Sequence, residues 1–265
     1  VEARSESFLA SYQGRGQEAQ AELAVDAAGR FLALRARVLA DLGAYLYPIT
    51  PAPPVTASML LTGAYDVPAV DVELLGVATN KVPTGPYRGA GRPEGAYVAE
   101  RLADLAAADL GLDPVELRHR NLIPPERFPH TTALGFTYDS GNYRRALDRA
   151  CELLGYRQRR AEQRAARRAG RLVGVGVCVF VERAGAGLWE YGSVAVGPDG
   201  RVLVRTGSTP HGQGHRTTFA QLAADALGVT PEEVTVEAGD SRTVPEGMGT
   251  YASRSVTTGG SAVHL

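Results

Sequence analysis

The 265-residue chain is 44% hydrophobic and 22% charged and carries a net charge of −1. This is ordinary globular composition, with enough residues for one large core or two smaller ones. The near-neutral balance gives no global case for nucleic acid or an anionic membrane, and no apolar run approaches the roughly 20 residues of a membrane-spanning helix.

Residues 21–39 alternate in short runs around Asp26-Ala27-Ala28-Gly29-Arg30, a hairpin signal. Pro48 to Pro54 reads as a proline-rich loop and Asp71–Ala78 as a strand. Lys81–Pro93 is irregular, dense in glycine and proline. Glu94–Leu110 is the clearest helix: Ala96, Val98, Ala99, Leu102, Leu105 and Ala106 line one face, and Gly111 ends it. Asp113 as N-cap and Pro114 in the first turn start a second helix through Leu117.

Asn142 to about Arg168 reads as one helix that becomes increasingly basic. Leu172–Val181 reads as a strand containing two glycines. Leu188–Val196 and Arg201–Thr206 form a hairpin around Gly197–Gly200. Phe219–Leu227 is helix-like, Thr230–Glu233 has capping-box spacing, Val234–Glu237 is a short strand, and a helix starts at Ser253. Without a regular βαβ period or an internal repeat, the pattern predicts an α+β fold of mixed sheets and packed helices. It falls into two subdomains, 1–165 and 166–265.

Three turns are candidate ligand sites. His211-Gly212-Gln213-Gly214-His215 runs from a strand into a helix, where backbone N–H groups can meet an anion. His211 and His215 are four apart, but the intervening glycines argue against a helical metal pair and no zincin glutamate accompanies them. Tyr87-Arg88-Gly89-Ala90-Gly91 opens the strongest helix, and Gly247–Ser255 sets Ser253, Arg254 and Ser255 at a helix start. Hydroxyls and an arginine there can hold a phosphate. The bland readings are a turn with solvated histidines for the first, a tight loop that uses glycine for bending for the second, and plain N-capping by Ser253 with Arg254 exposed for the third. Gly174-Val175-Gly176 and Gly185-Ala186-Gly187 fit G-x-G only loosely. Cys151 and Cys178 read as buried structural thiols, and Arg157–Arg171 as a solvated or docking face.

Taken in order, Thr84–Glu94, Val115–Leu122, Thr209–His215 and Gly247–Ser255 resemble the molybdopterin-binding large subunit of the xanthine dehydrogenase/aldehyde oxidase family. The nearest subgroup is the carbon monoxide dehydrogenase-like proteins. Ser5–Phe8 and Gln13-Gly14 add to the resemblance. It implies two molybdopterin-binding subdomains, and an oxidoreductase that hydroxylates an aldehyde, an N-heterocycle or a related carbon with water as oxygen source. The cofactor implied is molybdenum with molybdopterin, in the cytosine dinucleotide form. Implied partners are iron–sulfur and FAD subunits in a hetero-oligomer.

By the same resemblance Arg88 and Gly89 lie beside the metal, Gln213 and Gly214 hold the pterin, and Ser253, Arg254 and Ser255 hold pterin and phosphate. Tyr87 and Ala90 line the substrate pocket. Gly89 stands where carbon monoxide dehydrogenases proper have a copper-binding cysteine, so no copper is expected. Ala90 stands where purine-oxidising members place an aromatic. The family's Gly-x-Gly-Glu glutamate, the general base, is not in this sequence, so no residue here is assigned proton transfer.

Alternative readings are a non-catalytic docking module and a phosphate-binding α+β protein. With Val1-Glu2 at one end and a helix start at the other, a piece of a larger protein is expected. With no signal peptide recognisable, the expected location is cytoplasmic.

Overall fold

The structure is a computed structural model that describes residues 2–185 and 187–265. Ala186, inside one of the weak G-x-G matches, and Val1 lie outside them. The chain forms two compact units, Val1–Glu182 and Arg183–Leu265.

Unit 1 begins with helix α1 (Arg4–Ala10), followed by strands β1 (Gln17–Val25) and β2 (Phe31–Gly43). They pair antiparallel across the expected turn, where the Asp26 carboxylate accepts from Ala28 and Arg30 N–H groups. Helix α2 (Ala52–Met59) crosses over, and β3 (Ala69–Ala78) returns parallel to β2. The proline-rich loop therefore ends in a helix. Pro53 and Pro54 occupy its first turn, where their missing N–H groups cost nothing. Helix α3 (Arg92–Asp109) packs on α2 and β1, and α4 (Pro114–Asn121) packs on α3, running past Leu117. The short strands β4 (His130–Thr131) and β5 (Thr137–Tyr138) form a separate pair.

The long basic helix is two helices, α5 (Tyr143–Leu154) and α6 (Tyr156–Arg168), broken at Gly155 in the left-handed conformation (φ 66°). Arg157, Arg164, Arg167 and Arg168 all face solvent. The strand expected over Leu172–Val181 joins no sheet among the described residues. Val177, Val179 and Val181 nevertheless pack on the unit 1 core, around Leu34, Leu61, Tyr65 and Ala103. The division between units consequently falls after this segment.

A buried polar cluster ties these pieces together. Arg118 on α4 is fully buried, and its Nε donates to Glu100 Oε2 on α3 at 2.9 Å. Tyr65 Oη donates to the other Glu100 oxygen. Burial and the Glu100 charge push the Tyr65 phenol well above its ordinary pKa. Burial alone would lower Arg118, but Tyr65, Glu100 and Asp104 overcome it and hold the guanidinium charged. Tyr65→Phe strips a donor from a buried carboxylate, so we expect a loss of about 2 kcal/mol in urea unfolding.

Unit 2 pairs β6 (Gly192–Val196) antiparallel to β7 (Val202–Thr206), around the predicted Gly197–Gly200 turn. Helix α7 (His215–Leu227) and a capped 3-10 turn (Pro231–Glu233) lead to β8 (Val234–Ala238), parallel to β7. Instead of a plain helix from Ser253, a π-helix (Ser255–Gly260) leads into α8 (Ser261–His264), which packs on β6 and α7.

The two units thus repeat one topology: hairpin, crossover helix, parallel strand, closing helix against the first strand. The sequence showed no internal repeat because the units share this frame and not their residues. Cys151 is half-buried and Cys178 exposed, which corrects the expectation of two buried thiols. Burial, with Asp148 beside the first and Glu100 beside the second, still pushes both thiols up. Among the described residues no helix is long and apolar enough to cross a membrane.

Candidate functional site

The repeat puts two of the three candidate turns at one topological position. Tyr87–Gly91 connects β3 to α3, and Gly247–Arg254 connects β8 to the π-helix and α8. Both are bent the same way. Gly89, Ala90 and Gly91 have φ of 91°, 45° and 99°; Ala252 and Ser253 have 46° and 53°. Left-handed non-glycine residues cost roughly 1–2 kcal/mol each and cluster where function constrains the backbone. A further one, Arg15 (φ 60°), donates to the Arg88 carbonyl, pairs with Glu94 at 2.9 Å and stacks on the Tyr87 ring. Tyr87 and Arg88 are exposed, and Gly89 and Ala90 half-buried.

Asp41, at the end of β2, holds the approach to this first turn. Its carboxylate pairs with Lys81 at 2.7 Å and accepts from Thr79 Oγ1 and Gly43 N–H, while its carbonyl accepts from Thr84 Oγ1. Hydrogen bonds from Lys81, Thr79 and Gly43 lower its pKa to about 2. A depressed carboxylate stabilises the fold above its unfolded value near 4, and that contribution is lost as pH falls toward 2. We expect the stability gap between the wild type and Asp41→Asn to be full above pH 4 and to close toward pH 2, read by urea unfolding across that range.

In unit 2 the His211–His215 turn leaves β7 and enters α7. Gly212 (φ 102°) and Gly214 (φ 82°) supply the left-handed turns, and no atom lies within 4 Å of where a Cβ would stand at either. The face is open to a ligand. Gly214 caps α7 without a side-chain acceptor, so the first-turn N–H groups of α7 point outward. Gln213 is exposed, and its Oε1 accepts from His211 N–H at 2.5 Å, holding the turn. His215 is buried: its Nδ1 faces the Ser208 carbonyl at 3.2 Å and its ring meets Phe219 edge-on.

The Gly247–Ser255 loop is built around a pair that the sequence reading missed. Glu190 and Arg254 have fully buried side chains and meet at 2.7 Å. The Glu190 carboxylate also accepts from the Tyr191, Met248 and Gly249 N–H groups at 2.9–3.0 Å. Arg254 donates further to the Gly249 and Trp189 carbonyls. Arg254, expected to present its guanidinium to a phosphate, is instead the internal tie of the loop, with Ser253 exposed and Ser255 half-buried beside it. No local signal marks Glu190, whose partner lies 64 positions on.

The two unit 2 turns converge on the exit of β7. Ser208 receives His215 on one side and faces Glu190 on the other, while Gly207 lies so close to Gly247 that a Cβ would sit 2.6 Å from its Cα. In the same loop Thr250 Oγ1 is buried with no hydrogen-bond partner among the described residues. An orphaned hydroxyl, open glycine backbone and free helix N–H groups are the donor set an oxygen-rich anionic cofactor requires. A groove of about 1210 Å3 in unit 1, lined by Asp113, His119, Asp148 and Tyr156, contains none of the candidate residues.

Two molybdopterin cofactor-binding domain families match the chain, over residues 1–122 and 149–265. The carbon monoxide dehydrogenase large chain of Hydrogenophaga pseudoflava is 38% identical over 100% of this chain and 35% of its own length. The nicotine 6-hydroxylase large subunit of Paenarthrobacter nicotinovorans is 36% identical over 100% of this chain and 34% of its own. Quinoline 2-oxidoreductase from Pseudomonas putida 86 superposes with a TM-score of 0.88 at 40% identity, covering 96% of this chain and 34% of that one. The chain belongs to the xanthine dehydrogenase/aldehyde oxidase family of molybdopterin-binding subunits, alongside the carbon monoxide dehydrogenase large chains. It spans about a third of the length of the curated relatives it matches.

Proposed function

We propose that this chain supplies cofactor-holding loops of a molybdenum hydroxylase. The supporting observation is the open Gly212-Gln213-Gly214 turn at the head of α7, next to the clamped Gly247–Ser255 loop. Gln213, Gly214 and the first-turn N–H groups of α7 would hold the pterin. Ser253, Ser255 and Thr250 would take the phosphate end of a cytosine dinucleotide form, with Arg254 as the positioning residue beneath them. Arg88 and Gly89 are assigned to the metal end, with Tyr87 and Ala90 lining the substrate pocket.

When bound, a molybdenum cofactor would supply the redox chemistry for hydroxylating a carbon with oxygen from water. Iron–sulfur and FAD subunits would carry the electrons away, in a cytoplasmic hetero-oligomer. No side chain in residues 1–265 is assigned the proton transfer. The small Ala90 suits a flat N-heterocycle or an aldehyde, the substrate classes the whole enzyme would oxidise.

A copper-binding thiolate does not suit position 89. With φ at 91° and a Cβ 2.5 Å from the Pro93 ring, a side chain there strains the backbone and collides. Gly89→Cys is expected to lower the melting temperature by several degrees and to bring no stoichiometric copper, measured by calorimetry and metal analysis.

The direct test is molybdenum and acid-released pterin in the purified complex. Near-stoichiometric amounts are expected, with Gln213→Ala retaining about tenfold less at an unchanged melting temperature of the cofactor-free form. A blank pterin assay on the wild-type complex overturns the reading and leaves a phosphate-binding or docking module.

A further inference from the structure

Leu172–Val181 carries valine at every odd position from 173 to 181. Val177, Val179 and Val181 pack inward, while Gly174, Gly176, Cys178 and Phe180 are exposed. This alternation of faces is that of an extended strand. In such a strand the N–H and C=O of one residue point to one edge and those of the next residue to the other.

Three main-chain groups on the edge formed by the odd residues are held by side chains. Gln163 Nε2 donates to the Val173 carbonyl at 2.9 Å and Arg118 Nη2 to the Val177 carbonyl at 3.0 Å. Val179 N–H donates to Glu100 Oε2 at 2.9 Å. The buried Glu100–Arg118 pair thus anchors the middle of this edge, through Val177 and Val179. On the even edge, the main-chain groups of Gly174, Gly176, Cys178 and Phe180 have no partner among the described residues.

Nothing protects that edge. No charge, proline or lysine interrupts residues 172–181, although such devices are how natural proteins keep an edge from pairing. Two grooves flank the segment, of about 360 and 610 Å3, walled by Leu147, Leu154, Ala166 and Phe180. Leu153, Leu172 and Phe180 are 72%, 88% and 66% exposed.

We propose that Leu172–Val181 is the receiving edge for a β-strand of the same polypeptide lying outside residues 1–265. A strand is the occupant because only a second backbone matches an alternating row of unpaired donors and acceptors. The same polypeptide is the source because the curated relatives carry about two-thirds of their length beyond the matched region. The second domain match, 149–265, also includes this segment although it packs on unit 1.

The test uses the protein expressed from its complete coding sequence. Hydrogen exchange at the amides of Gly174, Gly176, Cys178 and Phe180 is expected to run at least roughly 100-fold slower than in an unstructured reference. Exchange near the reference rate overturns the proposal. A benzoylphenylalanine photo-crosslinker at position 180 identifies the occupant. Crosslinks to residues of the same polypeptide outside 1–265 support it. Crosslinks to another subunit, to a second copy or to nothing overturn it.

Discussion

Glu190→Ala is expected to unfold unit 2 near room temperature. The substitution leaves the Arg254 guanidinium fully buried without its countercharge, which costs about 3–5 kcal/mol. It also orphans the Met248 and Gly249 N–H groups, at about 1–3 kcal/mol for each donor left unsatisfied. A domain holds only about 5–15 kcal/mol in total. Glu190→Gln keeps one acceptor oxygen but turns an amide donor toward other donors, so about half the loss is expected. Replacing the pair together, Glu190→Leu with Arg254→Met, should recover only the part of the loss that comes from the stranded charge, because the Met248 and Gly249 N–H groups stay without an acceptor. Trp189 is the sole tryptophan, next to Glu190, so its fluorescence in a urea titration reads unit 2 directly. A wild-type midpoint in Glu190→Ala would show that the pair does not hold the loop.

Gly91→Ala and Ala90→Gly, adjacent in sequence, are expected to move stability in opposite directions. At Gly91 the backbone is left-handed (φ 99°), and a Cβ would stand 2.0 Å from the Pro53 carbonyl oxygen and 2.8 Å from Ala57 N. Gly95 makes the same close approach one turn on, 2.8 Å from the Ala57 carbonyl, so α2 and α3 touch through backbone and cannot part locally. Left-handed strain and overpacking together give a loss of about 3–5 kcal/mol. Ala90 already carries a side chain at φ 45°. Replacing it by glycine relieves that strain and, after the added freedom of the unfolded chain, gains about 0.5–1 kcal/mol. Thermal melts of both variants check the pair. Loss of cofactor in Ala90→Gly despite higher stability would mean that the strained geometry itself is used.

Much of this fold was legible in the sequence because its signals are local. The Asp26–Arg30 hairpin, α3 with its apolar face and the Asp113 cap of α4 each depend on residues a few positions apart. The misreadings share a different cause. Pro53 and Pro54 look like loop residues until their place in a first helical turn is known. Gly155 reads as a tolerable glycine in a long helix, but its left-handed backbone divides the helix in two. Leu172–Val181 has strand periodicity, and only coordinates reveal that it joins no sheet here. In the candidate site the glycine turns were legible, since left-handed backbone demands glycine. The Glu190–Arg254 tie was not, since a single acid carries no mark of a partner so far along the chain. Arg254 was singled out for its chemistry, and burial reverses what that chemistry is for.

The repeated frame has one more consequence. The connection between the second strand and the crossover helix occurs once in each unit. In unit 2 it is the glycine turn His211–His215. In unit 1 it is Ala44–Pro51, with Tyr45, Leu46, Tyr47 and Ile49 more than half exposed and no glycine between them. The same architectural slot holds open backbone in one copy and a row of aromatic and aliphatic side chains in the other. This is how paired copies diverge: the shared scaffold preserves the geometry of the slot while each connector specialises separately. Exchanging these two connectors would ask whether a slot's specialisation belongs to its loop or to its unit.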